Sequence, residues 1–352
     1  MPFSTSYKVI GVMSGTSADG LDMAYCEFKR TSNKWNYRLE QAITIPYSSD
    51  WQNLLNNLIN ASGIELVKVH VELGKFIGKQ VKQFIETYKL KVDFIASHGH
   101  TVFHQPQHHI TYQIGSGAHI QAIVQKPVVC DFRMQDVALG GQGAPLVPVG
   151  DALLFSEYEY CLNIGGIANV SFEKNSQRVA HDICPANIVL NYLASRKGLP
   201  YDANGTLAQQ GKPIPEILTQ LNAIPFYKQS PPKSLGKEWV ETFILPILSK
   251  NYSIEDLSAT FCEHIAQQVA QSCPQKGKML VTGGGAYHLY LIEKIRQYAH
   301  WLEIIIPEKK IIDFKEALIF AFLGVLSARK EKNCWSSVTG AQRDSCSGVW
   351  YY

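Results

Sequence analysis

The sequence predicts an α/β fold in which one unit, strand–strand–strand–helix–strand, occurs twice. Three observations predict it. The order of β-rich and helix-periodic segments restarts near residue 158, although the two halves share negligible sequence identity. Each start carries a turn of small residues between two strands, "SGTSADG" and "GGIAN". The chain of 352 residues, 46% of them hydrophobic, is long enough for two cores of ordinary size.

The elements follow in order. "YKVIGV", "LDMAYCEF" and "WNYRLEQAITI" are β-rich and separated by turn residues. "WQNLLNNLIN" and "IELVKVHVELGKFIGKQVKQFIETY" carry apolar residues at 3–4 spacing and predict helices. "KVDFIASHG" reads as a buried strand with a polar tip, and "KPVVCDF" as another. In the second half, "YEYCLNIGG", "IANVSFE" and "RVAHDIC" are three strands. The helix "PANIVLNYLASRKG" follows, with Pro185 expected in its first turn and Gly198 at its stop. "IEDLSATFCEHIAQQVAQSC" places Leu257, Phe261, Ile265 and Val269 on one helical face. "GKMLVTGGGAYHLYLIEKI" reads as strand, glycine turn and helix, "LEIIIP" as a strand and "FKEALIFAFLGVLSARK" as a largely buried helix. Residues 198–240, richer in Gly, Pro and Lys, predict loops and short helices over one domain, and the aromatic tail suggests a cap. The expected boundaries are an N-terminal lobe of 1–127 completed by 325–352, a C-terminal lobe of 128–324, and a cleft between them.

Composition excludes several functions. A net charge of +3 is too weak to argue for nucleic acid or an anionic membrane. No apolar run approaches the roughly 18–20 residues that span a bilayer. The opening residues lack the pattern of a signal peptide, which makes the cytoplasm the expected location. Eight scattered cysteines without a CxxC pair argue against a zinc ribbon or a redox pair.

The chemistry concentrates in the turns. Gly15, Thr16, Ser17 and Gly20 offer backbone N–H groups and hydroxyls that suit a phosphate, and they equally suit a plain hairpin turn. Asp19 or Asp22 beside them can order Mg²⁺ through water. Gly165 and Gly166, with Asn169 beyond, repeat the device, and Gly283, Gly284 and Gly285 join a strand to a helix. This is neither a Walker A motif nor a GxGxxG at the first strand–helix turn. Three glycine turns in this order on a duplicated unit argue for the actin/hexokinase-like, RNase H-like architecture and an ATP-dependent phosphotransferase.

Other polar segments are open to more than one reading. His98, His100, His104, His108 and His109 form a cluster without HExxH or a carboxylate, which points away from a metal site. Ser97 and His98 instead line the cleft, with His108 and His109 on the surface. Asp131, Arg133 and Asp136 with Gly140, Gly141 and Gly143 form either an ion pair bracing a loop or a binding loop, and the glycine density favours binding. Asp182, between a strand and a helix, suits a general base, an N-cap or a water-mediated Mg²⁺ ligand.

"GVMSGTSADGLD", "SHGHT", "DFRMQDVALGGQGAPLVP", "LNIGGIANV", "YDANG", "PPKSLGKE", "TGGGA", "EALIFAFL" and "SVTGA" resemble, in order, the anhydro-N-acetylmuramic acid kinase family from about residue 8 to 341. The resemblance implies a cytoplasmic enzyme of cell-wall sugar recycling that uses ATP and Mg²⁺, and a homodimer. It implies hydrolysis of the 1,6-anhydro bond of 1,6-anhydro-N-acetylmuramic acid and phosphorylation of O6, giving N-acetylmuramic acid 6-phosphate. Carried over, Gly15, Thr16, Ser17, Ala18, Asp19, Gly20, Leu21 and Asp22 form the first phosphate loop, with Asp19 on Mg²⁺ through water. Gly165, Gly166 and Asn169 form the second, Gly283, Gly284 and Gly285 lie near the adenosine, and Asp182 is the catalytic aspartate. Ser14, His98, Arg133, Asp136, Gly141, Gln142, Gly143 and Glu316 fall on the sugar side.

The sequence departs from the family at "DICPAN", where the pattern is close to D-T-G-P-G-N. Ile183, Cys184 and Ala186 replace a threonine and two glycines, and are expected to narrow the space beside the base and to bear on sugar preference. His100 stands where the family usually has glutamine. Two rival readings are a same-fold kinase for another sugar or small acid, and a non-catalytic ATP-switched binding protein. Sugar-dependent ADP formation separates them.

Overall fold

The computed structural model describes residues 4–15, 18–32, 34–231, 233–248 and 251–352. Its strands in chain order are β1 (Ser6–Ser14), β2 (Gly20–Thr31), β3 (Lys34–Pro46), β4 (Phe94–Gln105), β5 (Ile110–Ile114), β6 (Val128–Cys130), β7 (Tyr160–Ile164), β8 (Ile167–Lys174), β9 (Gln177–Pro185), β10 (Gly277–Thr282), β11 (Leu302–Ile305) and β12 (Val349–Tyr351). The chain divides into two compact units, Met1–Leu154 with Phe314–Tyr352, and Phe155–Asp313.

In the first unit the sheet runs β12-β6-β4-β1-β2-β3, with β5 paired to β4. β1, β2 and β3 form an antiparallel meander, whereas β4 pairs parallel with both β1 and β6. Two helices explain why β1 is apolar at nearly every position rather than at alternate ones. Helix Gly63–Tyr88 opens on a capping box between Ser62 and Glu65, and buries Val69, Leu73, Ile77, Val81 and Phe84 at helical spacing. Those residues join Ile10, Val12 and Ile95 in one core. Helix Lys309–Ala328 packs so close to β1 that a Cβ added to Gly11 would lie 1.8 Å from the Ala317 carbonyl oxygen.

The second unit repeats the order as β11-β10-β7-β8-β9, antiparallel from β7 to β9 and parallel from β7 to β11. The repeated arrangement, an antiparallel meander whose first strand pairs parallel with the next crossover strand, is the duplicated actin/hexokinase-like fold that the sequence predicts. In helix Ile254–Ser272, Leu257, Phe261, Ile265 and Val269 are all fully buried, within a core shared with β7–β10. Residues 198–240 contain the short helices Thr206–Gln209, Pro215–Asn222 and Lys237–Phe243.

Three expectations shift. The boundary expected at 127/128 falls at Leu154/Phe155, because β6 extends the parallel ladder of β4 and so belongs to the first unit. The return expected at 325 begins at Phe314. Pro185 ends β9 instead of opening a helix, since helix Asn187–Ser195 starts only after the backbone N–H of Ala186 has bonded the Gly166 carbonyl. The tail does return to its unit: β12 pairs antiparallel with β6, and the Asn333 side chain bonds the Leu323 and Ser347 carbonyls.

Removing the Phe261 ring opens a cavity lined by the second core. Phe261→Ala is expected to destabilise that unit by about 3–5 kcal/mol, read from urea denaturation.

Candidate functional site

Ligands of open α/β sheets sit beyond the carboxyl ends of the parallel strands. In the first unit those ends are Ser14 of β1, the later residues of β4 and the segment after β6. The first loop leaves β1 as a tight turn, with Ala18 N–H donating to the Gly15 carbonyl over 3.1 Å. Tyr47 N–H holds the Asp19 carbonyl over 3.1 Å, and the Asp19 side chain is exposed. Asp22 accepts from the Thr44 hydroxyl over 2.6 Å. Ala18 and Leu21, expected on the nucleotide, are fully buried in the first core and so shape the loop from beneath. Ser14, expected on the sugar, is 1% exposed, and its hydroxyl is occupied by Tyr47 and His100. Thr16 and Ser17 lie outside the described residues.

The second cluster is built around Arg133. Its Nε donates to His98 Nε2 over 2.8 Å and its Nη1 to the Gly143 carbonyl over 2.7 Å. His98 Nδ1 lies 2.9 Å from the Gly99 carbonyl, which places the ring proton on Nδ1 and leaves Nε2 as the acceptor. Burial first, and then the Arg133 charge, hold the His98 pKa well below its ordinary value, so the ring is neutral. Phe320 packs against both residues, with its ring centroid 4.5 Å from that of His98 and 5.9 Å from the Arg133 guanidinium carbon. Glu316 keeps an exposed surface. Its carboxyl pKa is nonetheless raised, by desolvation first and by the Asp22 charge, with Arg133 opposing. Arg133, Glu316 and His98 therefore form one polar group, and the Nη2 edge of Arg133 takes none of the bonds just named.

Asp136 does not belong to that group. It is 0% exposed; its Oδ2 accepts from Gly143 N–H (2.8 Å), and its Oδ1 from the Thr339 hydroxyl (2.7 Å) and the Cys334 thiol (3.1 Å). The carboxylate is spent on folding the glycine loop and on tying it to the C-terminal segment. The glycine density has the same cause, since a Cβ on Gly141 would stand 2.2 Å from Asp136 Oδ2. Gln142, whose N–H bonds the Thr339 carbonyl, is exposed between the buried Gly141 and Gly143. Sequence reasoning gave the "SVTGA" segment no role, although Thr339 lies within it.

In the second unit, three elements converge on the β7–β8 turn. The N–H groups of Asn187, Ala186 and Ile188 donate to the carbonyls of Gly165 (3.1 Å) and Gly166 (2.8 and 3.1 Å), and Asn187 Nδ2 donates to the Ile164 carbonyl. Gly283, at φ +79°, brings the strand–helix turn against the same place, where a Cβ would lie 2.6 Å from Asn163 Oδ1. Gly166 and Gly284 remain exposed, and an added Cβ would meet nothing closer than 3.9 Å and 3.5 Å respectively. The turns thus present bare backbone with room beside it, as a phosphate or a nucleoside requires.

Asp182 lies across the same sheet. The register Thr282↔Asn163, Asn163↔Asn169, Asn169↔Asp182 lines up four polar residues over β10, β7, β8 and β9. Asp182 is half-buried; its Oδ2 accepts from Leu235 N–H over 2.8 Å, and its own N–H bonds the Lys233 carbonyl. Burial raises the carboxyl pKa, with the Leu235 bond opposing. "PPKSLGKE", another segment without an assigned role, is therefore the support of this carboxylate.

A family model for anhydro-N-acetylmuramic acid kinase matches residues 7–352. The chain belongs to the anhydro-N-acetylmuramic acid kinase family. Membership makes it an ATP-dependent sugar kinase. Similar relatives named anhydro-N-acetylmuramic acid kinase include one from Sulfurimonas denitrificans, 32% identical and covering 97% of this chain and 98% of its own. Another, from Legionella pneumophila strain Corby, is 33% identical and covers 97% of each chain. Solved structures are more distant. The activator of 2-hydroxyisocaproyl-CoA dehydratase from Clostridium difficile with bound ADPNP is 13% identical, covers 92% of this chain and 97% of its own, and has a TM-score of 0.44. A ROK family glucokinase from Streptomyces griseus in complex with glucose and AMPPNP is 11% identical, covers 90% and 99%, and has a TM-score of 0.40. Likenesses this loose say nothing about the kinase's own ligands.

The kinase has no convergent set of three His, Cys, Asp or Glu side chains among the described residues. The exposed Asp19 carboxylate offers one hard oxygen, of the kind that Mg²⁺ takes directly or through its water shell. No helix among the described residues is long and apolar enough to cross a membrane.

Replacing Asp136 removes the acceptor of three buried donors, of which only the Thr339 hydroxyl has another within reach, the Trp335 carbonyl at 3.4 Å. Asp136→Ala is expected to destabilise the first unit by about 3 kcal/mol and to raise KM for the sugar more than KM for ATP, measured by thermal unfolding and steady-state kinetics.

Proposed function

We propose that the kinase acts on 1,6-anhydro-N-acetylmuramic acid, opening its anhydro bridge with water and transferring the ATP γ-phosphoryl to O6. The observation that carries this reading is Asp182: a half-buried carboxylate of raised proton affinity, one oxygen anchored by Leu235, in line with Asn163 and Asn169 beside the glycine turns. A carboxylate held by one oxygen keeps the other for a water proton, and its raised pKa makes it a better acceptor.

Water oxygen bonds to the anomeric carbon as its proton passes to Asp182. The bond from that carbon to O6 breaks, O6 bonds to the γ-phosphorus, and the bond to the β-phosphate oxygen breaks to release ADP. In the second unit the exposed backbone of Gly166 and Gly284, with Gly165, Gly283 and Asn169 beside it and the buried Gly285 bracing it against Ile164, receives the nucleotide. In the first unit, the loop from Gly15 through Asp19 and Gly20 to Asp22 takes phosphate oxygens. His98, Arg133, Gln142 and Glu316 take the sugar, with the Nη2 edge of Arg133 suited to its carboxylate. Mg²⁺, when bound, supplies charge neutralisation on the phosphates, and Asp19 would hold it through water. The family resemblance also supports a homodimer and a place in cytoplasmic cell-wall sugar recycling.

A coupled ADP assay with 1,6-anhydro-N-acetylmuramic acid tests the reading; turnover on ordinary hexoses alone would sink it. Asp182→Asn is expected to retain nucleotide binding and to lose turnover by a factor of at least roughly 10³. Because a protonated Asp182 cannot accept, kcat/KM should fall with decreasing pH through an apparent pKa above the usual aspartate range. A limb at or below that range would count against Asp182 as the base.

A further inference from the structure

Three polar groups from separate elements meet beneath the first loop. Ser14 ends β1, Tyr47 follows β3, and His100 lies within β4; they are 1%, 4% and 4% exposed. Tyr47 O–H donates to Ser14 Oγ over 2.9 Å, and Ser14 Oγ lies 3.1 Å from His100 Nδ1. Burial lowers the His100 pKa, and the adjoining Gly15 backbone opposes it. One direction satisfies the chain: the phenol donates to the serine and the serine donates to Nδ1, which leaves the ring proton on Nε2.

We propose that His100 is a positioning residue that holds the first loop in its phosphate-binding shape through Ser14, the residue from which the loop departs. This rests on the reading of that loop as a phosphate site. The Gly15 carbonyl, next in the chain after Ser14, accepts from Ala18 N–H and closes the turn, while Tyr47 holds the far side of the loop through its N–H to the Asp19 carbonyl. His100 and Tyr47 thus fix the entry and the exit of one short loop. The strands beside it are held independently by the β1–β2 ladder, which reaches Ser14↔Leu21. Loss of the imidazole therefore loosens the loop and leaves the sheet in place. A glutamine side chain also offers one acceptor and one donor, whereas leucine of similar bulk offers neither.

The test is steady-state kinetics on the full chain, with ATP and the anhydro sugar varied separately and Tm recorded for each variant. His100→Leu is expected to raise KM for ATP roughly ten-fold, the effect of leaving buried partners unpaired, with KM for the sugar changed by less than about two-fold. His100→Gln is expected to restore most of the ATP affinity. Tyr47→Phe, which keeps the ring and drops the hydroxyl, should raise KM for ATP by a smaller factor, roughly three-fold, and decides the matter if His100→Leu does not fold. Unchanged KM for ATP in the folded variants, or an equal rise for both substrates, overturns the proposal. A Thr16→Val, Ser17→Ala double variant tests the loop itself. If it leaves KM for ATP unchanged, the phosphate-site reading fails and takes this inference with it. If it raises KM while His100→Leu and Tyr47→Phe do not, only the role of His100 and Tyr47 fails.

Discussion

Main-chain hydrogen bonding at the end of the second sheet is the constraint on which the nucleotide-facing side depends. A helix starts with N–H groups that no residue of its own turn can satisfy. Here those of Ala186, Asn187 and Ile188 are used on the carbonyls of Gly165 and Gly166. The helix start is therefore clamped to the hairpin and is not itself open to an anion. The clamp turns the hairpin carbonyls inward, and the glycine surface on the other side stays bare. Gly283 then brings the strand–helix turn against Asn163 and Ile164, which only a residue without a side chain at positive φ can do. Three segments distant in sequence become one surface, mainly through backbone contacts, with the Asn187 side chain adding one bond to the Ile164 carbonyl.

The first unit solves the same problem with side chains. Its glycine loop after β6 is wrapped around the buried Asp136 carboxylate, which draws in Gly143 N–H, the Thr339 hydroxyl and the Cys334 thiol. A buried charge is tolerated only where its lone pairs are met, and Asp136 meets that condition by recruiting the C-terminal segment. The tail is thus part of the machinery of the loop as well as an edge strand on β6. Arg133, a neighbour in sequence, keeps a different function because its fork is only partly used.

Element order was legible in the sequence because β1, β7 and β10 are apolar runs ended by glycine turns, and because helix Ile254–Ser272 repeats its apolar residues at helical spacing. Residue types also marked the glycine turns and Asp182 as chemically suited to a site. Burial was not legible. Ser14, Leu21 and Asp136 look like site residues in one dimension and prove to lie beneath the surface, because a motif reports proximity to a site without reporting which side of the backbone faces it. Tyr47 had no signal at all: a single aromatic after a strand is ordinary, and its part in the loop comes from a hydrogen bond to a residue 33 positions away. The domain boundary escaped because β6 is only three residues long and gains its place from pairing with β4.

The departures around Asp182 are resolved by a β-bulge. Along β8 the register moves one residue, from Asn169 to Ala168, while along β9 it moves two, from Asp182 to Cys184. A bulge breaks strand alternation and re-aims the side chains on either side of it. Asp182 stays half-buried in line with Asn169, whereas Ile183, Cys184 and Ala186 are 1%, 0% and 0% exposed and lie in the core of the second unit. Side chains that read as crowding the base are taken up by the core, and the polar row keeps its carboxylate in place. What the substitutions change is the packing behind the base, where burial pushes the Cys184 thiol pKa up and keeps it neutral.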